Sequence, residues 1–175
     1  MTSGSPTGTG PTWRSGRAVV PTQSATAVYV VHTSRPSSAL GPALPGLNTA
    51  VQDGKFEFVV ASVSCGHPSV SRAFISRSAQ GQFCLVVLSV RNVGTKSQTF
   101  TDVFQKATGP GGDSYGADTA AGALANTDGT NVWTLINPGN KVSGTIVFDI
   151  PTAASLAAVE LHDSALSHGV TVKVA

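Results

Sequence analysis

Charged side chains are scarce in this sequence. Asp, Glu, Lys and Arg together make up 11% of the 175 residues, whereas soluble domains ordinarily contain about a quarter. The formal net charge is only +2, and no cluster of Lys and Arg is present that would follow a phosphate backbone. The composition therefore predicts no nucleic-acid partner. Thr, Ser, Gly, Ala and Val are abundant instead, a composition that suits exposed strands and turns.

Long apolar runs are also missing. No stretch approaches the roughly 18 apolar residues that a membrane-spanning helix needs. The N-terminus has no basic start followed by an apolar run, and no cysteine lies there for lipid attachment. We therefore expect membrane attachment only through an anchor that is absent from this chain.

Cysteine and methionine are rare, and their scarcity limits the chemistry that is available. Cys65 and Cys84 are the two cysteines, without a Cys-x-x-Cys motif. From the residues alone, they are either a structural disulfide or two buried thiols, because the redox compartment decides which form persists. A bridge would close a loop of about 20 residues, which the chain-entropy model values at about 3 kcal/mol. The single methionine, Met1, argues against a copper carrier, which would use thioether sulfur to bind Cu(I).

Residues 1–50 differ in composition from the rest of the chain. Pro, Gly, Ser and Thr dominate there, notably in residues 2–11 and 34–42. Such a segment buries too little apolar surface to offset the entropy of ordering it. We predict a disordered tail or tether over residues 1–50, with an edge strand at residues 28–31 as the alternative.

From residue 51 onwards, short apolar segments alternate with turn residues. The longest apolar run, residues 83–93, is rich in β-branched residues and predicts a central strand. Residues 142–150 alternate with period 2, which places Val142, Ile146, Phe148 and Ile150 on the core face. Further strands are predicted at residues 55–64, 98–104, 115–118, 132–136, 158–162 and 170–174. Residues 69–82 are predicted to be a polar loop, and residues 119–130 a loop with room for one helical turn.

This series of elements predicts the fold class. Seven or eight short strands, with turn signals between them and no long helical period, are typical of a β-sandwich. We predict an all-β protein in which residues 51–175 form an immunoglobulin-like β-sandwich.

One segment contains the residue types of a hydrolase triad, namely His162, Asp163 and Ser164. Neighbours in sequence do not form a triad, because a triad needs a relay in space and an oxyanion hole. No Gly-x-Ser-x-Gly motif is present. We therefore interpret residues 162–164 as a surface loop and expect no catalytic residue.

Several other residues have side chains that bind metals elsewhere. Cys65 and His67 are two residues apart, but no further pair of Cys or His follows at the spacing of a zinc site. The aspartates in the Gly-rich loops lack the ligand spacing of an EF-hand. Residues 109–112 lack the Gly-Lys-Ser/Thr ending of a phosphate loop. We expect no metal and no cofactor; the residues considered were His32, Cys65, His67, Asp113, Asp118, Asp128, His162 and His168.

The order and spacing of several short segments resemble a known family, the telokin-like, immunoglobulin-like domain of secreted actinobacterial antigens and bacterial surface lipoproteins. This family has no established function. The resemblance covers roughly residues 51–175 and implies an immunoglobulin-like sandwich, an exported protein, a disulfide between Cys65 and Cys84, and no catalytic residue. The segments that carry it are residues 53–58, Cys65, residues 81–84, 90–94, 113–118, 137–139 and 147–151.

These observations predict a non-enzymatic role. We expect an exported or cell-surface immunoglobulin-like domain that works as a protein-interaction module and presents loops or an edge strand to an extracellular or envelope protein. The alternative is a structural or antigenic envelope domain without a specific partner. An exposed Trp133 is one candidate anchor for a partner, although a strand position in the core is its more ordinary role.

Overall fold

The computed structural model describes residues 8–10, 12, 43–126 and 134–175. In this part of the chain the backbone is dominated by β-strands, with one short helix, α1 (Thr119–Ala125), and one 3₁₀ turn (Asp102–Phe104). The strands are β1 (Ala50–Asp53), β2 (Phe56–Arg72), β3 (Ile75–Asn92), β4 (Gln98–Thr99), β5 (Lys106–Thr108), β6 (Ser114–Gly116), β7 (Leu135–Ile136), β8 (Lys141–Ile150), β9 (Ala158–Leu161) and β10 (Val170–Lys173).

Two four-stranded sheets form the sandwich. The first has the order β1-β2-β3-β8 and the second the order β10-β9-β5-β6, and all pairs are antiparallel. A small pair, β4 and β7, lies outside these sheets. An isolated bridge between Ala117 and Phe148 connects the chain just after β6 to β8. This arrangement confirms the predicted all-β sandwich.

Aromatic side chains from the first sheet and from the segment after β4 pack between the layers. Phe56 and Phe58 point inwards from β2 and are fully buried, as is Phe100 from the segment after β4. The Phe56 and Phe100 rings meet edge to face with their centroids 5.7 Å apart, and the Phe58 ring lies 5.7 Å from that of Phe100. Period-2 alternation places Val86, Leu88 and Val90 of β3 on the same buried side.

The prediction of a polar loop at residues 69–82 is wrong. Residues 69–72 belong to β2 and residues 75–82 to β3, so the two strands form one long hairpin. Ser71 pairs with Ser76, and Ser69 pairs with Ser78. Hydrophobic periodicity reports burial rather than backbone pairing, and hydroxyl-bearing side chains in this part of the hairpin give no such signal.

The predicted strand at residues 98–104 is interrupted. Only Gln98 and Thr99 pair, and a 3₁₀ turn follows at Asp102–Phe104. Thr101 caps this turn, because its hydroxyl accepts a hydrogen bond from the Val103 amide at 3.4 Å. The helical turn expected within residues 119–130 is present as α1, which Asp118 caps by accepting a hydrogen bond from the Ala121 amide at 2.9 Å.

Residues just before the predicted domain start also contact the sandwich. The Asn48 amide donates to the Val60 carbonyl, and the Pro45 carbonyl accepts from the Lys173 amide, both at 2.8 Å. The predicted division at residue 50 stays a prediction, because most of residues 1–42, including the alternative strand at residues 28–31, lie outside the described residues. Among the residues described, no helix is long and apolar enough to span a membrane.

The first prediction concerns the aromatic core. Phe58→Ala should lower the free energy of unfolding by about 3–5 kcal/mol, because it removes a fully buried ring and leaves a cavity. Urea unfolding of the full chain measures the change. The matched control is Phe74→Ala, the same substitution at a side chain that is 97% exposed, for which a change of less than about 0.5 kcal/mol is expected. Equal losses in the two variants would contradict the placement of the core.

Candidate functional site

The disulfide joins the two strands of the long hairpin. Cys65 of β2 is bonded to Cys84 of β3, and neither cysteine is free. Cys84 is fully buried and lies opposite Phe148 of β8, whereas Cys65 is exposed. The residues alone left free thiols open as an alternative, and the structure shows the bridge that the family resemblance implies.

Register shifts next to Cys65 show why a cross-link is useful here. The pairing of β2 with β3 is irregular between Ser64 and His67 and again between His67 and Ser69. Each irregularity removes regular ladder hydrogen bonds and bends the strand. The disulfide holds the two strands together at this irregular point.

Beyond the disulfide, the hairpin continues past the rest of its sheet. β8 pairs with β3 only from Gln82 to Arg91, so residues 75–81 of β3 and their partners in β2 extend further. We call residues 67–81 the arm. Its tip has a two-residue turn in which Ala73 adopts φ +53°. Phe74 at the tip is 97% exposed and Ile75 is 57% exposed. Sequence reasoning missed this site because it assigned residues 69–82 to a loop.

At the other end of β2, His162 does not form the triad that its neighbours in sequence suggest. Its Nε2 atom lies 2.7 Å from Glu160 Oε1, and its Nδ1 atom lies 3.4 Å from Ser167 Oγ. The Ser167 hydroxyl donates instead to the Ser164 carbonyl at 3.0 Å. The His162 main chain is held by Gln105, which donates to the His162 carbonyl and accepts from its amide.

Asp163 and Ser164 belong to a loop that the contacts of Asp163 hold in place. Asp163 Oδ2 accepts a hydrogen bond from the Lys55 amide at 3.1 Å and lies 3.3 Å from Lys55 Nζ. These contacts join the loop after β9 to the β1–β2 turn. His162 is only 8% exposed, so a substrate would have little access to its ring. Ser164 is exposed, as the surface-loop interpretation predicts, whereas His162 is buried.

Asp53 fastens the same loop at both ends. Its carboxylate accepts hydrogen bonds from the Asp163 amide at 2.6 Å and from the Gly169 amide at 3.2 Å. Burial by itself raises the pKa of Asp53, but the hydrogen bonds from the Asp163 and Gly169 amides and the nearby His162 outweigh it, so the pKa lies below its usual value of 3.8. Glycine is required at residue 169, because a Cβ there would lie 2.6 Å from the His162 ring.

The residues considered as metal ligands are dispersed or have other partners. His67 Nε2 forms a hydrogen bond with Ser64 Oγ at 2.8 Å. Asp118 caps α1 and binds Arg77 Nη2 at 2.7 Å. Within the ranges that the structure describes, no group of three or more His, Cys, Asp or Glu side chains is arranged to hold a metal. Asp128, His32 and Trp133 lie outside those ranges.

With this geometry established, the chain can be compared with known proteins. A family model described as a domain of unknown function, DUF4352, matches residues 45–172. The chain belongs to the DUF4352 family. The match begins at Pro45, which already bonds to β10 through its carbonyl. No curated protein matches the sequence.

The DUF4352 domain is similar in fold to several solved structures. MPT63, a secreted protein from Mycobacterium tuberculosis, aligns with a TM-score of 0.56 and 17% identity over 77% of this chain and 99% of that chain. The yjhA protein from Bacillus subtilis gives 0.56 and 10% over 75% and 100%. A conserved hypothetical protein from Bacillus anthracis gives 0.52 and 12% over 74% and 95%. The family match and these sandwich folds confirm the resemblance that the sequence carries.

The disulfide leads to a second prediction. Replacing both cysteines by Ala should lower the free energy of unfolding by about 3 kcal/mol, because the unfolded chain then regains the entropy of an open loop. Urea unfolding measures the loss, and wild-type protein in dithiothreitol is the control that retains both side chains. Before reduction, intact-mass spectrometry should show two hydrogens fewer than after it. An unfolding midpoint that neither change lowers would contradict the role of the bridge.

A third prediction follows from Asp53. Because its pKa is lowered in the folded state, the carboxylate contributes stability that is fully present above the unfolded-state pKa and is lost as the pH falls through the folded-state pKa. Asp53→Asn should therefore cost about 1–3 kcal/mol at neutral pH and less at acidic pH. Urea titrations between about pH 2 and pH 7 measure both effects.

The control for this titration is Asp113→Asn, at an exposed carboxylate in a turn. It should change the free energy of unfolding at neutral pH by less than about 0.5 kcal/mol. A cost for Asp53→Asn that stays constant over the whole pH range would contradict the role assigned to the ionised carboxylate.

Proposed function

We propose that this DUF4352 domain is an exported or cell-surface, non-enzymatic module that binds a protein partner. The observation that carries the proposal is the arm, which extends beyond its sheet and ends in the exposed side chains of Phe74 and Ile75. A large apolar side chain that is almost fully exposed gains nothing from folding, whereas burial against a partner would stabilise a complex.

The non-enzymatic part of the proposal is supported by the contacts of the ionisable side chains. Asp53, Asp163 and Lys55 fasten one loop to the β1–β2 turn. His162 lies within this loop at 8% exposure, with its neighbouring hydroxyl donating to a main-chain carbonyl. Catalysis by a histidine requires that a substrate reach the ring and the nucleophile together, and the His162 ring is almost fully buried.

The exported location is supported by the disulfide. Disulfides persist in oxidising compartments and are rare in reducing ones, and the Cys65–Cys84 bridge joins the two longest strands of the sandwich. MPT63, whose fold is similar, is itself described as a secreted protein.

A cell-binding measurement tests the proposal. The oxidised full chain, carrying a fluorescent label, is added to intact cells of the species that encodes it. We expect binding that saturates, that the unlabelled chain displaces, and that disappears when the cells are first treated with a protease. The reduced and alkylated chain, unfolded in urea and diluted into the assay, is the control for adsorption.

Two results would contradict the proposed function. Binding that rises linearly with concentration and resists protease treatment would favour a structural or antigenic envelope domain without a specific partner. Turnover of a substrate that depends on His162 would contradict the non-enzymatic assignment.

A further inference from the structure

The arm is supported by contacts from its base up to Arg77. The disulfide lies at its base, and α1 packs on one face, where Ala121 joins Val70, Phe83 and Val147 in a small buried cluster. The N-terminus of the helix is connected to the arm as well, since the Arg77 guanidinium donates to Asp118 at 2.7 Å. A binding element that is already rigid loses little conformational entropy when it docks.

The tip has a composition that folding does not require. Ala73 adopts φ +53°, a left-handed conformation that glycine would adopt without strain. Phe74, at 97% exposure, is nearly fully in solvent. An exposed turn is ordinarily built from Gly, Asn or Asp. This turn instead presents an aromatic ring, followed by the partly exposed Ile75.

The large hydrophobic side chains that the arm exposes, Phe74 and Ile75, both lie at its end. Immediately below the Arg72–Ile75 pair, Ser71 is paired with Ser76, and Ser69 is paired with Ser78. The hydroxyl groups of these serine side chains can form hydrogen bonds with water along the rest of the arm. The tip of the arm is therefore a knob made of one exposed aromatic and one exposed branched aliphatic side chain.

We propose that this knob, Phe74 together with Ile75, inserts into an apolar socket on the protein partner. This inference rests on the proposed function and specifies its contact surface. An aromatic side chain that fills a pocket at the centre of an interface is the usual form of a binding hot spot. The partner is accordingly a protein with a concave apolar pocket large enough for one phenyl ring.

The charges near the tip favour a protein socket over an anionic membrane. Arg77 is paired with Asp118, and Arg72 is also engaged in an interaction within the chain. Stable membrane attachment usually needs a second attraction, such as a group of basic residues, in addition to one small apolar element. The basic side chains that flank this tip already have partners, so its main contribution is apolar contact.

The experiment compares two variants in the cell-binding assay with the full chain. Phe74→Ser removes the aromatic side chain of the knob. Leu166→Ser is the matched control, because Leu166 is 95% exposed on the loop that is fastened to Asp53, away from the tip. We expect Phe74→Ser to weaken saturable binding about tenfold to a hundredfold and Leu166→Ser to leave it unchanged. Phe74→Leu, which keeps an apolar side chain, should recover part of the affinity.

Two further measurements separate apolar docking from the alternatives. Raising the salt concentration from about 0.05 M to about 0.5 M should leave the affinity nearly unchanged, since it screens charge pairs and not apolar contacts. Vesicles of phosphatidylcholine, alone or mixed with phosphatidylglycerol, should not retain the wild-type chain in co-sedimentation. Urea unfolding of each variant verifies that the fold is intact.

The outcomes distinguish this inference from the proposed function. Saturable binding that Phe74→Ser leaves intact would overturn the knob and leave the proposed function standing, as would equal losses in Phe74→Ser and Leu166→Ser. Wild-type binding to vesicles that Phe74→Ser abolishes would overturn the protein socket in favour of a membrane. If the wild-type chain shows no saturable binding to cells, the proposed function fails and this inference fails with it.

Discussion

The pairing of β3 with a neighbour on each side is the constraint on which the structure depends. β3 pairs with β2 through Phe58 and Val90, and with β8 through Cys84 and Phe148. Because side chains alternate along a strand, a slip of one residue would turn the buried side chains of β3 towards the opposite face. The aromatic core and the disulfide are both compatible with one register only, so each reinforces the other.

The same pairing explains the arm. The β8 ladder ends at Ile150 opposite Gln82, while β2 and β3 continue to pair with each other up to Arg72 and Ile75. A two-stranded ribbon is marginally stable in water on its own. Here the disulfide at its base and α1 on one face supply the missing support. The exposed tip is thus built on a supported element, which suits a surface that presents side chains to a partner.

The polar residues at the other end of the sandwich fasten loops. Asp53 accepts hydrogen bonds from both ends of the segment between β9 and β10, and Gln105 holds the main chain of His162. These buried acceptors and donors satisfy one another over long sequence separations, as buried polar groups generally do. The residue types of a hydrolase are present there, but the hydrogen bonds of His162 and Asp163 connect them to neighbouring loops, and the His162 ring is almost fully buried.

The sequence alone was sufficient to predict the sandwich class and most of the core strands. Alternation of apolar side chains is a local signal, because burial of one face of a sheet directly produces it. The bond from the Gly94 amide to Asn92 Oδ1 is a local contact, since it spans two residues. Only the tertiary structure decided that the Asn92 side chain also donates a hydrogen bond to the Ile136 carbonyl. It likewise decided that the His162 ring contacts Glu160 and Ser167 rather than Asp163 and Ser164. The pairing of serine-rich segments into an arm was also visible only in the structure. These features depend on backbone pairing and on contacts between distant segments, which side-chain periodicity does not encode.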